Sequence, residues 1–83
     1  MKVLQYPLAT EKAIVQIEKG NEIMFIVDFR ATKEEIAKEF ESTFKVGVES
    51  VNIINQPDNK KKAIIKLDKD SKAGDVAIKL KIV

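Results

Sequence analysis

Apolar positions change period several times along the chain, and each change marks an element. Val3 and Leu4 open a short apolar stretch that runs to Tyr6, and Pro7, which has no amide to donate, ends any strand there. Ala13, Ile14 and Ile17 then recur at helical spacing. Thr10 stands before them as an N-cap, Glu11 falls in the first turn where the helix dipole favours an acid, and Gly20 is the expected stop. From Asn21 to Phe29 the period is two, with Ile23, Phe25, Val27 and Phe29 pointing one way and Met24 and Ile26 the other. Apolar groups on both sides predict a strand covered on both faces, central in a layered fold. Helices are then expected on two sides of the sheet, or a partner over one of them.

The clearest helix runs from Thr32 to Phe44. Thr32 and Glu35 have capping-box spacing, and Ile36, Phe40 and Phe44, with Ala37 beside them, form the stripe to be buried. Gly47 breaks the periodicity beyond its end. Val48–Asn55 and Ala63–Leu67 read as two further strands, joined through Gln56-Pro57-Asp58-Asn59 and the triplet Lys60-Lys61-Lys62, so an antiparallel hairpin is expected. A last helix, capped by Asp70 or Ser71, puts Val76, Ala77 and Leu80 on one face. The order β-α-β-α-β-β-α predicts a small α+β domain, residues 1–83, with a largely antiparallel four-stranded sheet and helices packed on it. Eighty-three residues close one modest core.

Composition removes most chemistry. Without Cys or His there is no thiol catalysis, no thiolate or imidazole metal site and no His general base. Glu35 and Glu39, one helical turn apart near Glu34, could share a proton or a metal ion, yet nothing apolar surrounds them and no nucleophile or phosphate loop accompanies them. The expectation is a protein that is not an enzyme, with no cofactor and no metal. No apolar run approaches a membrane span and no signal peptide is recognisable, so no membrane insertion is expected and the chain should stay where it is made.

The net charge is only +2, but it is unevenly spread. Residues 34–59 hold two basic and six acidic groups, whereas residues 60–83 hold eight basic and three acidic. A basic surface attracts phosphate through counterion release. The plainer reading is a set of solvated faces on a highly charged, heat-adapted protein.

Four segments carry a resemblance. Pro7-Leu8-Ala9-Thr10-Glu11-Lys12-Ala13, Asp28-Phe29-Arg30-Ala31-Thr32-Lys33-Glu34-Glu35-Ile36, Phe44-Lys45-Val46-Gly47-Val48-Glu49-Ser50-Val51-Asn52 and Lys61-Lys62-Ala63-Ile64-Ile65-Lys66-Leu67 stand in order over residues 6–67. Together they resemble the signatures of large-ribosomal-subunit protein family twenty-three, in its archaeal type, and Ala73-Gly74-Asp75-Val76-Ala77 is similar to the short C-terminal helix of archaeal members. The resemblance implies a cytoplasmic ribosomal protein that binds large-subunit rRNA beside the exit of the nascent-chain tunnel. It also implies contacts with neighbouring large-subunit proteins and docking of the signal recognition particle or other exit-site factors. The hairpin connection is short here, so the tunnel-reaching extension of bacterial members is not carried over.

On that basis Lys60, Lys61, Lys62 and Lys66 are expected on rRNA phosphates; the competing reading is a solvated turn, or lysines guarding an edge strand. Lys12, Arg30 and Lys33 flank two helix starts, which would form one phosphate site if they lie close together; otherwise they make local ion pairs, such as Lys12 with Asp28. Asn52 is a candidate strand-to-RNA hydrogen bond or a turn-side polar group. Thr10 and Glu11 are candidates for factor docking, although Thr10, like Thr32, is first a cap and Glu11 stabilises its own helix. Phe25, Phe40 and Phe44 could be imagined to stack on bases, but their spacing assigns them to the core. The contrasting function is a free-standing protein–protein adaptor that works through the acidic helix.

Overall fold

The computed structural model describes residues 3–56 and 60–81. Four strands and three helices follow in the expected order: β1 (Leu4–Pro7), α1 (Glu11–Gly20), β2 (Glu22–Val27), α2 (Lys33–Phe44), β3 (Val48–Asn55), β4 (Lys61–Leu67) and α3 (Ala73–Lys79). The strands form one sheet in the order β1-β2-β4-β3. Every neighbouring pair is antiparallel, so the fold is α+β. The expected turn at Pro57-Asp58-Asn59 lies outside the described residues; on either side of it, the Gln56 amide donates to the Lys60 carbonyl at 2.9 Å.

The main core cluster lies on one face of the sheet. Ile23, Phe25 and Val27 of β2, Ala63, Ile65 and Leu67 of β4, and Val51 of β3 meet Ile17 of α1, Ile36 and Phe40 of α2, and Ala73, Val76 and Ala77 of α3. Phe40 is fully buried, edge-on to Phe25 at 5.9 Å and 4.7 Å from Phe44 between ring centroids. Aromatic pairs in this geometry add to what burial alone contributes. Met24 and Ile26 are also buried but lie outside that cluster, since alternation along β2 turns them to the other face.

The first two helix starts are capped as their residues predict. The Thr10 hydroxyl accepts from the Ala13 amide at 3.2 Å. Thr32 and Glu35 exchange both bonds of a capping box, at 3.0 and 3.2 Å. The two helices end where expected, at Gly20 and Phe44, but neither left-handed C-cap is a glycine: Asn21 (φ 53°) caps α1 and Lys45 (φ 56°) caps α2. Gly47 has a different reason to be glycine: a Cβ there would overlap the Asp68 carboxylate. The Gly47 amide donates to Ser71 Oγ at 3.1 Å, so the α2–β3 and β4–α3 loops are locked together. β2 also ends at Val27 rather than Phe29, because Asp28 turns the chain: its side chain accepts from the Arg30 amide and its carbonyl from the Ala31 amide.

Neither Asp70 nor Ser71 caps α3. Lys72 occupies the N-cap position without a side-chain bond, and the capping acceptor comes from far away in sequence. Asn21 Oδ1 accepts from the Ala73 amide at 2.7 Å, while Asn21 Nδ2 donates to the Asp68 and Ser71 carbonyls at 3.2 and 2.9 Å. One residue therefore ends α1, starts α3 and holds the loop after β4.

Two substitutions test this. Phe40→Ala should lower the unfolding free energy by about 3–5 kcal/mol in urea titration, as expected for truncating a fully buried ring. Asn21→Ala should cost about 1–3 kcal/mol through the orphaned amide and the strained positive φ. Asn21→Gly, which loses the same bonds but accepts that φ, should be the milder change; the reverse order in thermal melts would refute the capping role.

Candidate nucleic-acid interface

β4 lies inside the sheet, and its alternation decides where the basic triplet points. Ala63, Ile65 and Leu67 face the core cluster, so Lys62 and Lys66 face the other way. In register, Lys62 stands between Ile26 of β2 and Ile54 of β3, and Tyr6 of β1 continues the row beyond Ile26. Asn52 lies opposite Ile64 on the same face and is exposed. Lys66 lies opposite Glu22 and Ser50, and its ammonium is 3.7 Å from Glu49 Oε1. With both partners about half exposed, that pair adds little stability and holds Lys66 only loosely.

Lys60 precedes β4 and reaches across to β1. Its ammonium donates to the Tyr6 hydroxyl at 3.3 Å and stands 6.0 Å from the Tyr6 ring centre. Lys61 behaves differently from its neighbours. It pairs with Val27 and Asn55 at the end of the sheet, is half-buried, and donates to the Ala31 carbonyl at 3.1 Å. That bond ties β4 to the loop that leads into α2. Lys61 thus has a structural duty that nothing in the local run of lysines reveals.

The two helix starts are not brought together. Val3, at one end of β1, bonds through its carbonyl to Asp28, just before the turn to α2, whereas the Leu8 amide bonds to Met24 where the chain turns towards α1. Arg30 and Lys33 therefore lie towards one end of β1, and Thr10, Glu11 and Lys12 towards the other. Lys12 is exposed and makes no pair with Asp28, whose carboxylate is turned to the Arg30 amide. Lys33 lies along the groove between α2 and β3, with Glu34 and Glu49 among its walls. Arg30, exposed, rests its guanidinium 5.4 Å from the Phe29 ring centre.

Two exposed aromatic residues, Tyr6 and Phe29, therefore stand among the cations at this end of the sheet. Periodicity conceals Phe29, because it continues the alternation of β2. The signal that could have found it is Asp28, a turn former placed one residue earlier. Phe25, Phe40 and Phe44 are core residues, as their spacing predicts.

The acidic helix is turned inward in a specific sense. Glu39 accepts from the Val3 and Leu4 amides at 3.0 and 2.8 Å, and Glu41 accepts from the Val48 amide at 3.0 Å. Glu35 completes the capping box. Three of the four carboxylates of α2 are engaged with backbone, and Glu35 and Glu39 serve different amides rather than facing each other as a catalytic pair. No group of His, Cys, Asp and Glu among the described residues could hold a metal ion, and no described helix is long and apolar enough to cross a membrane.

Known proteins match the sequence over nearly the whole chain. The chain is 42% identical over 82 residues to the large ribosomal subunit protein uL23 of Trypanosoma brucei brucei. That match takes in 99% of this chain and 50% of the relative, so the chain spans about half the length of the curated relative it matches. Residues 2–81 fit the family model described as Ribosomal protein L23. With its signature segments on an α+β sheet and matched from end to end, the chain belongs to the Ribosomal protein L23 family.

Proposed function

We propose that this protein is a structural constituent of the large ribosomal subunit, that it binds rRNA beside the exit of the nascent-chain tunnel, and that the start of α1 helps to dock exit-site factors. Membership of the family and the likeness to the trypanosome large-subunit protein support the first part. The observation that carries the RNA contact is the grouping at one end of the sheet of Lys60 and Lys61, which line one recess with Phe29, and of Arg30 beside that ring, with Lys62, Lys66 and Asn52 on the face turned from the core cluster. Cations carried on a rigid sheet can contact phosphates with little backbone ordering, so that the loss falls on their own side chains, and such contacts position a protein without reading sequence. Lys12 and Lys33 lie apart from that group and would make separate backbone contacts.

The adaptor reading, with the acidic helix as working face, has less support because Glu35, Glu39 and Glu41 already serve backbone amides. Thr10 and Glu11 are exposed at the start of α1, away from the cluster of lysines, and Glu11 offers a carboxylate to basic groups of a targeting factor such as the signal recognition particle, or of another exit-site protein.

Filter binding of the full chain to large-subunit rRNA should give an affinity that falls steeply with salt. Lys60→Ala with Lys62→Ala should flatten the slope of log affinity on log salt by roughly 0.7–0.9 for each phosphate no longer neutralised. Lys61 is left in place because its removal would also free the loop before α2. An unchanged slope in the double variant would remove the hairpin from the interface. Glu11→Lys should leave rRNA affinity unweakened while reducing co-sedimentation of exit-site factors with ribosomes that carry the variant; undiminished factor binding would remove Glu11 from the docking surface.

A further inference from the structure

Phe29 is 61% exposed, its ring approached by the Arg30 guanidinium at 5.4 Å from the centre and otherwise open beside a recess of about 220 Å³ lined also by Asn55, Gln56, Lys60 and Lys61. Folding does not explain the ring's position, since it lies outside the core cluster and buries little surface. It is nonetheless firmly presented. The Asp28 amide donates to the Val3 carbonyl, the Arg30 amide to Asp28 Oδ1 and the Ala31 amide to the Asp28 carbonyl, each at 2.9 Å, while Lys61 holds the Ala31 carbonyl. A hydrogen-bonded turn thus fixes an apolar ring among cations before any ligand arrives.

We infer that this recess is a binding site for one unpaired nucleotide of RNA, its base stacked on Phe29, its edge met by the side-chain amides of Asn55 and Gln56, and its phosphate met by Lys60 and Lys61. The inference rests on the rRNA-binding reading and says which form of RNA this end of the sheet takes. Each component matches a part of a nucleotide. An exposed aromatic ring stacks on any base and is indifferent to its identity. Asn and Gln amides carry both donors and an acceptor, the pattern that a base edge presents. Lys60 and Lys61 supply the phosphate contacts, and Lys61 keeps further donors beyond the one given to Ala31. A base within a duplex shows no free face to a ring, so the site calls for a loop, bulge or strand end. Tyr6, 42% exposed and beside Lys60, offers a second ring for a neighbouring base.

The test uses the full chain with deproteinised large-subunit rRNA as probe. Phe29→Leu keeps the charge and much of the apolar volume but removes the ring, and Phe29→Tyr keeps the ring. Circular dichroism melts should be unaltered for both, because the residue is exposed. Phe29→Leu should weaken rRNA binding about tenfold with an unchanged salt slope, and Phe29→Tyr should bind like the parent. Ultraviolet irradiation of the parent complex should join the peptide containing Phe29 to an unpaired base. Equal affinity of Phe29→Leu and the parent, with rRNA binding intact, would overturn the nucleotide site while leaving the rRNA reading standing. So would a crosslink from this peptide, in whole subunits, to a protein instead of RNA. Failure of the parent itself to bind rRNA at any salt concentration would overturn both.

Discussion

Helix α2 crosses the sheet from one edge strand to the other, and its underside joins what strand pairing alone would leave loose. Ile36 and Phe40 are buried against the sheet, which supplies the apolar part of the attachment. The polar part is directional. Glu39 receives the Val3 and Leu4 amides at the start of edge strand β1, and Glu41 receives the Val48 amide at the start of edge strand β3. β1 has four residues and a register irregularity between Leu4 and Tyr6, so its own ladder is slight. Charge-assisted bonds from a carboxylate to backbone amides are about twice as strong as neutral ones, and here they fix both margins of the sheet from one helix.

That arrangement separates the charges by duty. The acidic segment of the chain is engaged largely with its own backbone, and half of the basic groups of residues 60–83, Lys60, Lys61, Lys62 and Lys66, stand on β4 or just before it. Because β4 is an inner strand, Lys62 and Lys66 rise from within a face rather than from an edge, so guarding an edge strand from pairing is not what they do. The small net charge understates the field at this surface, since the two kinds of charge stand on different elements.

Lys61 and Asn21 show how closely support and surface are linked. Lys61 belongs to the basic triplet by sequence but holds the Ala31 carbonyl, and through it the turn that presents Phe29. Asn21 joins three elements at the opposite end, where it ends α1 and caps α3. A rigid frame at both ends means that a ligand meeting the basic end would find its cations and rings already placed.

Element order, the antiparallel hairpin, the N-caps of α1 and α2 and the aromatic core were legible in the residues, because each is set by short-range chemistry: period two or 3.6, Thr before a first turn, Glu35 three positions after Thr32. The four signature segments likewise carried the family, since they record residue type in order. What the chain could not show locally were bonds between residues far apart. The cap of α3 comes from Asn21, the latch of Gly47 from Ser71, and the restraint of Lys61 from Ala31. Phe29 continued a strand's alternation, and the turn in which Asp28 accepts from the Arg30 and Ala31 amides ends β2 before it and exposes the ring. Which lysines share a face, and that the helix starts at Thr10 and Thr32 lie towards opposite ends of β1, follow from sheet order and register. Residues in sequence determine the elements; the tertiary structure determined which of their side chains meet, and left Phe29 in water.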